Sequence, residues 1–139
     1  MSILADTNIL LRRTQPDHPS HTLAVESVAK LLATPEPVYF TLQNISEFWS
    51  VATRPIASNG LGFSVALTLV ELDKIEQFLS VLPDSHRSLC GMEALGGPAN
   101  DTKLVATMNV HGIRGILTFN TDDLARYDVE AIHPLSLLS

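Results

Sequence analysis

Short apolar runs separated by stretches of helical period recur along this chain, and no other feature limits its fold so tightly. Ser2–Asp6, Val38–Thr41, Ser80–Pro83, Gly115–Thr118 and Val129–His133 read as strands. Between them the spacing turns helical. Thr7–Arg13 reads as a helical turn, broken near Pro16 and Pro19. His21–Thr34 carries a stripe of Val25, Val28, Leu31 and Leu32. Gln43–Thr53 sets Ile45, Phe48, Trp49 and Ala52 on one face and stops before Pro55. Ser64 caps a long helix with Val65, Leu69, Leu72 and Ile75 on one face, and Asn59-Gly60-Leu61-Gly62 before it is a turn. His86–Leu95 is a helix closed by Gly96-Gly97-Pro98, another opens at Asn100 or Asp101, and Asp122–Arg126 is a helical turn. This order predicts an α/β fold: a three-layer domain in which helices flank a central, mostly parallel sheet of four to five short strands. Residues 1–139 fit one domain of ordinary size.

Composition supports a core on both sides of such a sheet, with 45% hydrophobic against 17% charged residues. No apolar run reaches the roughly 18 residues of a membrane span, and no signal peptide opens the chain, so a cytoplasmic location is expected. Cys90 has no partner for an internal disulfide, and no Cys/His spacing suggests structural zinc. A net charge of −6 disfavours a plain nucleic-acid-binding module, because phosphate neutralisation needs Lys and Arg. It disfavours a metal enzyme less, because a bound cation inverts the local charge.

Four acidic positions fall where such a fold concentrates chemistry. In a parallel sheet the site lies at the carboxyl ends of the strands. Asp6 follows the first strand, and the pair Asp122/Asp123 follows the fourth. Asp101 opens a helix on the stripe of Leu104, Val105 and Met108, which aims it at the sheet. Glu47 shares a stripe with Val51 and Arg54 that could border a groove, with Glu47 inside and Arg54 further out. Each acid alone also fits a plainer role. Asp6 and Asp101 suit helix caps, Asn44–Glu47 resembles a capping box, and Asp122/Asp123 suit a solvated turn. Together they suggest one rim. Four converging carboxylates cannot all stay ionised without cations. Oxygen-only ligation suits Mg²⁺ or Mn²⁺, and two such ions about 3.5–4 Å apart can activate water against a phosphodiester.

In order along the chain stand Asp6-Thr7-Asn8, Asn44-Ile45-Ser46-Glu47-Phe48 with Ala52-Thr53-Arg54-Pro55, Asn100-Asp101-Thr102-Lys103-Leu104-Val105-Ala106, and Leu117-Thr118-Phe119-Asn120-Thr121-Asp122-Asp123-Leu124. With these motifs the chain resembles the PIN-domain ribonucleases, in particular the VapC-type toxins of toxin–antitoxin pairs. The resemblance matches Asp6, Glu47 and Asp101 to the family's metal-site acids. At the fourth position many relatives have an Asp where this chain has Asn120, and Asp123 matches a later acid, so Asn120 and Asp123 share that role and Asp122 is the weakest candidate. Thr7 then reads as a supporting hydroxyl and Asn8 as a backbone-fixing residue. The resemblance implies Mg²⁺- or Mn²⁺-dependent endonucleolytic cleavage of RNA, a small antitoxin partner and a homodimer. Arg12, Arg13, Arg54, Lys103 and Arg126 are the candidate RNA contacts, with Arg54 foremost.

Other readings are weaker. A receiver domain would need its acceptor Asp after a middle strand and a Lys near the last one, whereas the second strand ends at Thr41 and no Lys follows Lys103. An Asp-x-Asp phosphatase fails because residue 8 is Asn. A catalytically weak PIN-fold module that binds RNA or a protein without cleavage is favoured by Asn120. The five histidines show no ligand spacing, and Trp49 is read as core. Exposed apolar area on the first helices is expected to serve the dimer or the antitoxin.

Overall fold

The structure is a computed structural model. It describes residues 2–83 and 99–139, with the side chains of 99 and 100 left out. The expected helix at His86–Leu95 and Cys90 lie outside the described residues.

Five strands form one parallel sheet: β1 (Ile3–Ala5), β2 (Val38–Thr41), β3 (Ser80–Leu82), β4 (Gly115–Leu117) and β5 (Glu130–Ile132). Their order across the sheet is β3-β2-β1-β4-β5. The helices are α1 (Thr7–Arg13), α2 (His21–Leu32), α3 (Leu42–Thr53), α4 (Val65–Phe78), α5 (Ala99–Val110), α6 (Thr121–Leu124) and α7 (Pro134–Leu138).

The period-two pleat of the strands splits the core in two. Ile3 and Ala5, Val38 and Phe40, and Leu117 point to one face, where they pack against Ile9 and Leu10 of α1, Val28 of α2, Phe48 and Ala52 of α3 and Ile75 of α4. Leu4, Leu82 and Ile116 point to the other, against Leu104, Val105 and Met108 of α5 and Leu124 of α6. Leu4, Phe40, Phe48 and Ile116 are essentially solvent-free. Helix, sheet and helix are the three expected layers.

Two expected apolar stripes are buried only in part: Val28 and Leu31 of α2 and Ile75 of α4 are in the core, with Leu32 and Leu72 packed against it. On α2 the buried residues are Ala24, Ser27, Val28 and Leu31, and Val25 is exposed. On α4 Thr68 and Ile75 are buried, whereas Val65 and Leu69 are exposed together with Leu67, Val70 and Phe78. Because the first turns of α4, residues 65–70, are apolar on several sides, periodicity by itself selects no face there. Trp49 is half-buried rather than core. Helix α7, whose start is capped by Nδ1 of His133 accepting from the Leu135 amide at 3.1 Å, has no counterpart in the sequence reading.

The chain winds outward from β1 through β2 to β3, then returns to the other side of β1 with β4. The direction reverses between β1 and β4, and that reversal opens a crevice at the carboxyl ends of those strands.

Candidate metal centre

Asp6 is the residue immediately after β1, at the mouth of this crevice. Its backbone nitrogen continues the sheet by donating to the Leu117 carbonyl at 3.0 Å, which fixes where its side chain begins. It is also the N-cap of α1: Oδ1 accepts from the Thr7 amide at 2.8 Å. Oδ2 accepts from the Thr118 hydroxyl at 2.9 Å, across the β1–β4 boundary. The cap and site readings of Asp6 are therefore compatible, because one oxygen holds the helix while the carboxylate as a whole lines the cleft. Asn8 braces the far wall, its Nδ2 donating to Thr118 Oγ1 at 3.1 Å and its Oδ1 accepting from the Phe119 amide at 3.2 Å.

Glu47 reaches the same place from α3. Its Oε2 accepts from the Thr7 hydroxyl at 2.9 Å and its Oε1 from Gln43 Nε2 at 2.8 Å. The expected capping box at Asn44–Glu47 is corrected here. The N-cap is Thr41, which takes an extended conformation at the end of β2 and exchanges hydrogen bonds with Asn44. Helix α3 thus begins at Leu42, and Glu47 lies in its second turn, free to face the cleft. Asn44 is buried and donates through Nδ2 to Thr7 Oγ1 at 2.9 Å. A continuous relay results, from Thr41 through Asn44 and Thr7 to Glu47.

Asp101 enters from α5, on the opposite side of the sheet from α3. It is the third residue of that helix, which begins at Ala99, so it is not the cap. Its neighbours on the stripe, Leu104, Val105 and Met108, are buried as expected.

The cleft encloses about 460 Å³ and is lined by Asp6, Thr7, Asn8, Glu47, Asp101 and Asn120, with Gln43, Ser46, Ser50, Val51 and Arg54 continuing along α3. Electrostatics ties in one more acid. The Asp6 carboxyl is raised above its usual range by burial, opposed by the hydrogen bonds from Thr118 and Thr7 and reinforced by the charges of Glu47 and Asp101. The Asp101 carboxyl is raised by burial first, then by Asp123 and Glu47. Asp123 therefore stands within electrostatic reach of Asp101, although Asn120, and not Asp123, lines the cleft. Asp122 is exposed, does not line the cleft and contributes to neither shift.

The donor chemistry suits a hard divalent ion: oxygen ligands only, carrying like charges that destabilise one another. Among the described residues no three acidic, His or Cys side chains form a ready-made cluster.

Of the five candidate cations only Arg54 lines the cleft. Arg12 donates to Gln15 Oε1 at 2.7 Å, Arg13 lies near Glu71, and the Arg126 guanidinium stacks 5.6 Å from the Tyr127 ring. Sequence reasoning gave no role to Thr118, Gln43 or the Asn44–Thr7 bond. Thr118 and Asn44 both lie inside the quoted motifs, but their partners are 112 and 37 positions away, beyond the reach of local spacing.

A parallel α/β fold with a reversal-point cleft and acids on three surrounding elements defines the class. The chain belongs to the PIN domain family, which matches residues 3–130. No curated protein resembles it closely enough in sequence to count as a match. Similar solved structures include VapBC2 from Rickettsia felis bound to a DNA fragment from its promoter, with a TM-score of 0.71 at 14% identity over 96% of this chain and 98% of that one. FitAcB from Neisseria gonorrhoeae gives 0.70 at 19% identity over 96% and 98%. VapC20 from Mycobacterium tuberculosis, a sarcin–ricin loop cleaving toxin, gives 0.68 at 18% identity over 93% and 98%. At these identities the likeness speaks for the fold.

Proposed function

We propose that this protein is a Mg²⁺- or Mn²⁺-dependent endoribonuclease, the toxin of a toxin–antitoxin pair. The observation that carries the reading is the cleft itself: Asp6, Glu47 and Asp101 arrive from three elements at the β1–β4 reversal, with Asp123 in electrostatic reach. Family membership and the likeness to VapC-containing structures support it. Asp6 and Asp101 are the firmest candidate ligands, with Glu47 and Asp123 completing the set.

A divalent cation bound there would lower the pKa of a water molecule and stabilise the charge that develops on a phosphodiester. The chain's own residues prepare for this. Thr7 and Gln43 fix both oxygens of Glu47, and Thr118 and the Thr7 amide fix both oxygens of Asp6. Each oxygen keeps a lone pair for a ligand. Holding the carboxylates in place before binding removes a reorganisation cost from the chemical step.

The apolar side chains that α4 exposes, among them Val65, Leu69, Val70 and Phe78, give a surface of the kind a small antitoxin or a second copy of the chain covers. The similar structures include VapBC2 and FitAB, which fits an antitoxin partner. A homodimer and a cytoplasmic location complete the reading.

The deciding experiment is cleavage of RNA by purified protein with Mg²⁺, with Mn²⁺ and with chelator. Asp6→Asn and Asp101→Asn, both folded, are expected to lower the rate by more than about a hundredfold. Wild-type rates in both variants would sink the site assignment. A second reading, a PIN-fold module that binds RNA or protein without cutting, is favoured by the neutral Asn120 in the cleft lining. Metal-independent RNA binding without any product would select it.

A further inference from the structure

We propose that Arg54 is the substrate-positioning residue of this cleft, gripping through its guanidinium a backbone phosphate of single-stranded RNA next to the one that reacts. This rests on the nuclease reading of the same site.

The first argument is charge. The cleft is lined by three acids and a single cation, Arg54. A chain of net charge −6 has little general attraction for a polyanion, so the cation inside the cleft carries most of the local recognition. Among the described residues the Arg54 side chain makes no hydrogen bond or ion pair, so its five donors are available for a bidentate phosphate contact.

The second argument is spacing. Glu47, Ser50, Val51 and Arg54 follow one face of α3 at helical intervals, so Arg54 stands about 10 Å beyond Glu47 by the rise of the helix. A backbone offset of that size suits a grip on a neighbouring phosphate of the same strand. The exposed Ser46 and Ser50 offer hydroxyls along the track.

The third argument is rigidity beneath the side chain. Pro55 keeps Arg54 out of the helical region, and α3 ends there with Arg54 extended at φ −65°, ψ 141°. The following loop folds back onto the helix end. Leu61 donates to the Val51 carbonyl at 3.0 Å, Phe63 to Ala52 at 2.8 Å and Gly62 to Arg54 at 2.8 Å. Gly60 passes so close that a Cβ on it would stand 2.1 Å from the Arg54 carbonyl oxygen, and Gly62 adopts φ +66°. Three carbonyls at the end of α3 are thus satisfied, and the backbone of Arg54 is clamped at a fixed distance from Glu47.

The test is equilibrium binding of a short fluorescent single-stranded RNA in Ca²⁺, over a range of salt, with wild type, Arg54→Ala, Arg54→Lys and Gly60→Ala. Arg54→Ala should weaken binding by about tenfold or more. It should also flatten the slope of log affinity against log salt by about 0.7, the loss of one phosphate contact on a single strand. Arg54→Lys should restore the slope but not the full affinity. Gly60→Ala keeps the charge and displaces the backbone, so it should weaken binding at unchanged slope. RNAs carrying one uncharged methylphosphonate linkage, moved along the strand, should bind wild type poorly at two neighbouring positions, the reacting phosphate and the one Arg54 holds, and Arg54→Ala should lose sensitivity at the second alone. A flat walk on wild type, an unchanged slope in Arg54→Ala, wild-type binding by Gly60→Ala, or no RNA binding by wild type would each overturn the proposal. Failure of the nuclease reading is distinct. Wild type that never cuts in Mg²⁺ or Mn²⁺ yet shows the Arg54-dependent slope removes the enzyme and leaves the grip.

Discussion

Asp6 shows how one side chain can serve two demands. As a cap it satisfies an amide at the start of α1, and as a member of the cleft it sits half-buried beside two other carboxylates. Burial and the charges of Glu47 and Asp101 raise its pKa despite the bonds from Thr118 and Thr7. A carboxyl whose folded pKa lies above its unfolded value binds its proton more tightly when folded. Its contribution to stability is full below the unfolded value of about 3.8 and is lost as pH rises through the folded pKa. In metal-free protein Asp6→Asn is therefore expected to melt at a higher temperature than wild type near neutral pH, since Asn also caps helices well. The difference should shrink as pH falls through the carboxylate range. Thermal melts in chelator at several pH values check this, and a variant less stable than wild type at neutral pH would count against it. Among the other residues, Glu47 was legible through its stripe with Val51 and Arg54. Of the two candidates for the fourth position, Asn120 lines the cleft and Asp123 acts on Asp101 through charge.

At the scale of elements, α3 matters most, because its start and its end both set the site. Asn44 joins the cap at Thr41 to the Thr7–Glu47 contact while fully buried. Asn44→Ala removes that cap partner and leaves the Thr41 amide without its acceptor, so it should cost about 2–4 kcal/mol in urea unfolding. A loss below about 0.5 kcal/mol would mean that the relay contributes little. The local signal for this cap was ambiguous because Thr41, Asn44 and Glu47 all have capping side chains. Which pair closes the box depends on where β2 releases the chain, and β2 ends at Thr41 through its pairing with β1 and β3. The exposure of Val25 on α2 and of Val65 and Leu69 on α4 escaped the sequence for a related reason. Small residues, Ala24 and Ser27, form part of the buried side of α2, and the first turns of α4, residues 65–70, are apolar on several sides. Hydropathy ranks side chains by type, whereas burial depends on which neighbour arrives.

The whole molecule brings together residues from its two ends and its middle. Asp6, Glu47 and Asp101 belong to elements on both sides of the sheet, and Asp6 and Glu47 are held by hydrogen bonds from other elements, Thr118 and Thr7. Binding of a divalent ion should therefore be linked to global stability. Mg²⁺ or Mn²⁺ at a hundredfold excess over its dissociation constant should stabilise the wild type by about 2.7 kcal/mol, with a much smaller effect on Asp101→Asn. Equal shifts in both proteins would indicate binding elsewhere. The alternation of apolar runs and helices determined, by sequence alone, an α/β fold with a parallel sheet, because strands with a core on both sides must be apolar throughout and each crossover needs a helix. It also placed Asp6 at the end of the first strand. Strand order was decided only in three dimensions: β4 inserts beside β1 rather than beside β3, and that reversal places Thr118 against Asp6 and turns separate caps and turn residues into one cleft. The spacing of residues along a chain fixes local faces, but contacts between residues more than a hundred positions apart exist only once the sheet has chosen its neighbours.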